Sequence, residues 1–156
     1  MTEGATSPEA PADVHALLER IEEAWRQLFA ALDDIPEDRL SDPAVIGDWS
    51  LKDLFGHLAF WDEHATEEIE RALAGLPRED NAWQEMNETD YAARRDHTLS
   101  EQRSAMHQAH AALVERLESV AGIEAARIDE AIRPDTYEHY LDHIKDIQAW
   151  RQHVGI

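Results

Sequence analysis

Cysteine is absent from the 156-residue sequence, and its absence excludes several kinds of chemistry. The chain can form no disulfide, give no thiolate ligand to a metal and use no cysteine nucleophile. A thiol that takes part in its chemistry therefore has to arrive as a small molecule.

Long apolar runs are absent as well. No segment approaches the roughly 18 apolar residues that a membrane-spanning helix needs. The N-terminus has no basic stretch followed by an apolar one, so no signal peptide is visible. The expected location is cytoplasmic.

Positive charge is scarce. Lysine and arginine number 14 against 34 aspartates and glutamates, which gives a formal net charge of -20. A surface this negative repels the phosphates of nucleic acids and anionic lipids. We therefore expect neither a nucleic acid nor a membrane as a partner.

Strand alternation and internal repeats are also missing, and apolar residues instead recur at three- and four-residue steps. This spacing predicts four long helices, over residues 13–34, 51–74, 98–122 and from 135 onward. A short helix over 81–93 is expected to turn Trp83, Met86 and Tyr91 inward. The pattern is typical of an all-α, up-and-down four-helix bundle. Residues 1–12 carry no such pattern and are expected to form a flexible tail ahead of one domain, 13–156.

Polar residues mark the expected helix starts. Ser50 is predicted to cap the second long helix with Asp53 three positions on, and Asp135 to cap the last one with Glu138. Residues 35–49 and 123–133 are predicted to be connections, the first of them packed on the end of the bundle.

Two histidines, His139 and His143, lie four residues apart in the last predicted helix. That spacing stacks both rings on one face, within reach of a single metal ion. His143 falls inside the apolar arc of the helix and His139 at its edge, so both rings point toward the core or its rim. The spacing is equally compatible with two histidines that each hydrogen-bond at a helix interface.

A third histidine, His57, lies on the apolar edge of the second long helix, next to Gly56. With His139 and His143 it would make a three-imidazole site. Three protein ligands leave positions open for water or substrate, as in catalytic sites, and imidazole suits zinc, nickel, iron and copper ions. A glycine beside His57 lets a neighbouring helix or a ligand come close. The alternatives are a rim histidine at His57 and tight helix packing at Gly56.

The other histidines carry weaker signals. His64 is either a proton shuttle in the pocket or a residue at the helix edge, and we favour the edge. His107 and His110 are three residues apart and form another candidate ligand pair. Few apolar residues accompany them, so we favour the interpretation that both lie on a solvated face of the helix.

The segment GDWSLKDLFGHL over residues 47–58, and HYLDH over 139–143, resemble the DinB-like superfamily. The first is similar to the tryptophan and Ser/Thr helix start followed by a histidine, and the second to the second and third metal-ligand positions. The resemblance implies a four-helix bundle, often a homodimer, with a divalent metal held by His57, His139 and His143. Some members are thiol-dependent transferases or isomerases that use mycothiol, bacillithiol or glutathione. One branch hydrolyses a strained electrophile in toxin self-protection.

Three hypotheses follow for the function. The leading one is a divalent-metal-dependent enzyme, a thiol S-transferase or hydrolase, that acts on a small electrophilic substrate. Its nucleophile would be a low-molecular-weight thiol or metal-bound water, and its ion zinc, nickel or iron. The second is a non-catalytic helical bundle that binds a metal, a small ligand or a protein partner. The third is a structural dimer whose histidines fill the core.

Overall fold

The computed structural model describes residues 9–79, 82–120 and 124–156, and its regular structure is helical. The α-helices in these ranges are α1 (Val14–Leu32), α2 (Leu51–Leu73), α3 (Trp83–Arg94), α4 (Leu99–Glu118), α5 (Ala125–Ile132) and α6 (Tyr137–Val154). Extended pairing in the described ranges is limited to an isolated bridge between Ile46 and Trp49. The prediction of an all-α helical bundle is confirmed.

Four of the helices, α1, α2, α4 and α6, form the bundle. Helix α2 packs along α4 and α1 packs along α6, whereas the backbones of α2 and α6 come close in few places. Leucine and isoleucine side chains without solvent contact fill the space between them, among them Leu17, Ile21, Leu58, Leu113 and Ile147. Side chains rather than backbone contacts therefore span the gap between α2 and α6.

The predicted start of α2 is confirmed. Ser50 accepts a hydrogen bond from the Asp53 N–H, and the Asp53 carboxylate accepts one from the Ser50 N–H. The preceding connection packs on the bundle through Leu40 and Val45, which are both buried. This capping box fixes the first turn of α2 and with it the register that places His57 in the gap.

Gly56 permits the close approach that its missing side chain suggested. A Cβ at this position would overlap the side-chain amide of Gln102 on α4. Gln102 is itself buried, so the amide has little room to move away. The close neighbour is thus a helix.

Helix α3 differs from its predicted orientation. Trp83 is 52% exposed and Tyr91 36% exposed, and no α3 residue is buried. The inward-facing prediction is therefore wrong for both aromatic residues. Helix α3 lies against α2 instead of in the bundle core, and Asn81 in its predicted first turn lies outside the described residues.

The segment predicted as a connection over 123–133 contains helix α5, with Ile128 and Ile132 buried against the core. Asp135 is not the cap of α6, because Thr136 precedes the helix without a side-chain cap. The Asp135 carboxylate is buried and bonded elsewhere, as described below. Helix α4 ends at Glu118 rather than 122, and residues 121–123 lie outside the described part.

The division into a tail, 1–12, and one domain, 13–156, stays a prediction, since residues 1–8 lie outside the described ranges. Pro11, near the end of that segment, is buried. Among the described helices, none combines the length and the apolar composition needed to cross a membrane.

Candidate metal centre

Three histidine side chains from two helices meet in the gap between α2 and α6. The Nε2 atom of His57 on α2 lies 2.9 Å from Nε2 of His139 on α6. Nε2 of His143, one turn further along α6, lies 2.8 Å from the same His139 atom. Ligand atoms from all three rings lie within 4.8 Å of one another. The structure thus brings together the three residues that the sequence predicted as ligands.

The three nitrogens are close enough for one divalent ion after small movements of the rings. Imidazole nitrogens bind zinc at about 2.0–2.1 Å, and tetrahedral geometry separates two such ligands by about 3.4 Å. The distances of 2.9 and 2.8 Å from His139 are shorter, so the rings would move apart by about 0.5 Å to hold zinc. Within the described residues this is the one group of three histidine or acidic side chains with the spacing to hold an ion. Three ligands would leave coordination positions open, as catalytic sites do.

Burial keeps the three imidazoles neutral. It lowers the pKa of His57 to about 3, and the neighbouring His143 adds to the effect. It lowers the pKa of His139 well below its ordinary value, with smaller contributions from the other two rings. Burial also lowers the pKa of His143, although Asp146 opposes the shift. Neutral imidazole is the form that binds a metal.

Groups near the Nδ1 atoms, on the far side of the rings from the cluster, influence which nitrogen of each imidazole carries the proton. His143 Nδ1 lies 3.1 Å from the Asp146 carboxylate, one turn along α6. His139 Nδ1 is buried without a hydrogen bond of normal geometry, and the Asp135 carbonyl is the group that favours a proton on this ring. A metal-bound histidine carries its proton on the nitrogen remote from the ion, and Asp146 provides the partner for such a proton.

A cavity of about 420 Å³ opens over the three rings. Three of the five tryptophans line it: Trp49 ahead of α2, Trp61 on α2 and Trp83 at the start of α3. The Trp61 indole N–H donates to Asn87 Oδ1 at 2.7 Å, so its polar atom is already satisfied. The rest of the lining consists of the three histidines with Arg78, Asn87, Pro134, Asp135 and Asp142.

His64 is buried, so the favoured interpretation as a residue that merely sits at the helix edge is wrong. Its ring is buried beside Trp61, with Nδ1 2.7 Å from the Asp135 carboxylate and Nε2 3.1 Å from the Glu79 carbonyl oxygen. Burial lowers the pKa of His64, but the hydrogen bond and charge of Asp135, together with the Glu79 carbonyl and the Glu68 charge, outweigh it and raise the pKa. Arg78 donates to the other Asp135 oxygen at 2.8 Å. Both carboxylate oxygens of Asp135 are therefore bound inside the protein.

His110 is also buried, and the prediction of a solvated face is wrong for this residue. Its ring lies flat on Trp25, with centroids 3.7 Å apart, and its nitrogens contact Asp62 and Glu22. His107 is exposed, as predicted. Neither residue belongs to the group of three side chains with the spacing to hold an ion in the described part of the chain.

Residues 21–128 match the family described as Mycothiol maleylpyruvate isomerase N-terminal domain. The crystal structure of an uncharacterised protein from Escherichia coli UTI89 is similar, with 16% identity and a TM-score of 0.76 over 96% of this chain and 99% of that one. The colibactin self-resistance protein ClbS, in complex with a dsDNA, has 14% identity and a TM-score of 0.73 over 92% of this chain and 98% of that one. None of the curated proteins matches the sequence. At these identities the two structures establish the fold alone.

The expectation that excluded a nucleic-acid partner is wrong. A protein of this fold, ClbS, has been crystallised with double-stranded DNA. A net charge of -20 is a sum over the whole surface, whereas a complex with a nucleic acid depends on the charge of the face that binds it. The homodimer that the superfamily resemblance implies stays a prediction.

Proposed function

Because the chain belongs to the Mycothiol maleylpyruvate isomerase N-terminal domain family, within the DinB-like superfamily, we propose that it is a divalent-metal-dependent enzyme acting on a small electrophile. Its nucleophile is a low-molecular-weight thiol or water, and its ligands are His57, His139 and His143. The observation that carries the proposal is that the Nε2 atoms of three neutral imidazoles meet in the gap between α2 and α6. The His139 atom lies 2.9 Å from that of His57 and 2.8 Å from that of His143.

A bound divalent ion would lower the pKa of a thiol or of water and so supply more of the anionic nucleophile at neutral pH. The chain has no cysteine, so a reacting thiol comes from a small molecule. Imidazole donors suit zinc, nickel and iron alike. A cytoplasmic location accords with the proposal, because thiols are kept reduced there.

The lining of the cavity favours a small substrate with a flat apolar body. Trp49, Trp61 and Trp83 offer indole surface, and Trp83 is about half exposed beside the cavity. The polar groups Asn87 and Asp135 are already bonded to Trp61 and to His64 and Arg78. A substrate therefore finds apolar walls and few polar groups that still need a partner, a typical composition for a small-molecule site.

Thiol-conjugation rates test the proposal. Untagged protein, stripped with a chelator and reloaded with zinc, nickel or iron(II), would be assayed with 1-chloro-2,4-dinitrobenzene and either mycothiol or glutathione. Hydrolysis of a small epoxide would be followed in parallel. We expect at least one loaded form to accelerate one of these reactions, and the acceleration to disappear with the chelator and in His143→Ala.

His153→Ala is the matched control, because His153 is an exposed histidine on the same helix. It should retain the full acceleration. Equal rates with and without the ion, in the wild type and in His143→Ala alike, would contradict the proposal. Retained metal binding together with that result would favour the alternative of a non-catalytic metal- or small-ligand-binding bundle.

A further inference from the structure

A second polar cluster lies between the bundle helices, and each of the four contributes one residue to it. Three of the four residues are buried, and the side chain of the fourth, Glu22, is 40% exposed. The members are Glu22 on α1, Asp62 on α2, His110 on α4 and Tyr140 on α6, here called the core quartet. Asp62 and Tyr140 have no exposed surface, and His110 is buried. None of the four lines the cavity over the three histidines.

The core quartet is joined by direct hydrogen bonds. The Tyr140 hydroxyl donates to Asp62 Oδ1 at 2.5 Å. His110 Nδ1 lies 3.3 Å from Asp62 Oδ2 and 3.2 Å from the Tyr140 oxygen, and His110 Nε2 lies 2.5 Å from Glu22 Oε1. A protonated His110 that donates from both nitrogens satisfies this set, with Asp62 accepting from two helices at once.

The buried carboxylate of Asp62 keeps its hydrogen-bond donors only while His110 and Tyr140 both contact it. Burial raises the pKa of Asp62, against the opposing hydrogen bonds of His110 and Tyr140. Burial lowers the pKa of His110, but its bonds to Asp62 and Glu22 outweigh that effect and raise it. A buried carboxylate that loses a donor keeps its desolvation cost without compensation. The cluster therefore favours one relative placement of the four helices over others.

The core quartet lies next to the candidate metal centre along both ligand-bearing helices. Asp62 is five residues beyond His57 on α2, a rise of about 7.5 Å. Tyr140 directly follows His139 on α6. The backbones of α2 and α6 come close in few places, so the bond between Tyr140 and Asp62 is a direct side-chain link that fixes how far apart these helices stand.

We propose that the core quartet positions the candidate metal centre: by holding Tyr140, Asp62 sets the separation between His57 on α2 and the His139–His143 pair on α6. Asp62 and Tyr140 are positioning residues in this proposal and touch neither the ion nor the substrate. The proposal rests on the metal site of the proposed function, and it also makes a claim about the metal-free protein.

Tyr140→Phe tests the proposal, because it removes one oxygen atom and leaves the ring. Tyr137→Phe is the matched control: it removes the hydroxyl of a second buried α6 tyrosine, whose 2.6 Å bond goes to Asp129 on α5 instead of α2. Cobalt(II) titration would give the dissociation constant and the visible absorption spectrum, which reports coordination geometry. We expect about 10- to 100-fold weaker binding and an altered spectrum in Tyr140→Phe, and wild-type values in Tyr137→Phe.

A second readout needs no metal. Nuclear Overhauser contacts between the ring protons of His57 and His139 should weaken in metal-free Tyr140→Phe and persist in Tyr137→Phe. If both variants keep the wild-type contact and melt at equally reduced temperatures, the core quartet is merely structural and the inference is overturned. Failure of the wild type to bind cobalt while the ring contacts respond as expected would overturn the proposed function and leave the positioning of the rings supported.

Discussion

His139 occupies the centre of the three-histidine cluster, and its position makes the proton arrangement of the rings interdependent. A neutral imidazole carries one N–H, on Nδ1 or on Nε2. Separations of 2.9 and 2.8 Å between Nε2 atoms are hydrogen-bond distances, so in the metal-free protein a ring that bonds to its neighbour points an N–H into the cluster. An ion would need all three Nε2 lone pairs, which moves the protons to Nδ1. Asp146 already faces that nitrogen of His143.

Acid should destabilise the metal-free protein through His57. The pKa of this residue is about 3 in the folded chain and about 6.5 in an unfolded one. Between these values the unfolded state binds more protons, so the free energy of unfolding falls as the pH falls below about 6.5. The loss from one such group amounts to at most about 1.4 kcal/mol per pH unit.

Urea unfolding with a chelator, from about pH 7.5 to about pH 5, would measure this effect as the difference between wild type and His57→Phe. The free energy of unfolding of the wild type should decrease relative to that of His57→Phe as the pH falls. His64 and His110 act in the opposite direction, because a raised pKa in the folded state adds stability below about 6.5 that is lost at higher pH. They are common to both proteins, so their effect cancels. A difference that does not change with pH would disprove the assignment.

The sequence predicted the positions of some histidines correctly and those of others wrongly. His139 and His143 could be found because a spacing of four puts two rings on one helix face. His64 and His110 were misassigned because their carboxylate partners come from other elements. Asp135 is 71 residues from His64, and Glu22 is 88 residues from His110. Helical periodicity describes one helix at a time and cannot identify such partners.

At the scale of elements, the contact between α2 and α4 depends on Gly56. Gly56→Ala should lower the free energy of unfolding by up to about 2 kcal/mol, because the overlap with Gln102 costs about 1–3 kcal/mol and the gain in helix propensity offsets about 1 kcal/mol. Chemical unfolding of the variant would measure this loss.

Gln102→Ala in the Gly56→Ala background is the informative comparison, since it removes the side chain that the new methyl group would strike. The second substitution should cost less in this background than in the wild type. A Gly56→Ala protein more stable than the wild type by about 1 kcal/mol, the full gain in helix propensity, would show that α2 and α4 lie too far apart for the overlap.

Elements with strong start signals could be predicted, and weakly marked ones could not. The Ser50–Asp53 capping box and the long apolar periodicity of α2 gave its first residue correctly. Helix α5 has only eight residues and no side-chain cap, so its start is weakly marked in the sequence. Ile128 and Ile132 were therefore wrongly predicted to lie in a loop. Trp83 was predicted to face inward from a short helix, yet it is about half exposed and borders the cavity instead.

At the scale of the whole molecule, the site depends on a bundle whose α2 and α6 are spanned by side chains. Besides the imidazoles, two hydrogen bonds connect α2 to α6 and to the residues just before it. Tyr140 bonds to Asp62, and Asp135 bonds to His64. The all-α bundle followed from helical periodicity, whereas this gap could not be predicted, because it depends on how the helices pack together. The expectation from net charge that excluded a nucleic-acid partner was likewise wrong, since ClbS, a protein of this fold, has been crystallised with a dsDNA.

The central claim is that His57, His139 and His143 bind one divalent ion. The most direct measurement is an anomalous difference map at the zinc edge, from crystals of untagged protein grown with zinc. We expect a peak at about 2.0–2.1 Å from the Nε2 atom of each of the three rings. The chain has 34 acidic residues, so zinc bound to surface carboxylates would not count in its favour. Zinc at carboxylates alone, with no peak among the three imidazoles, would contradict it.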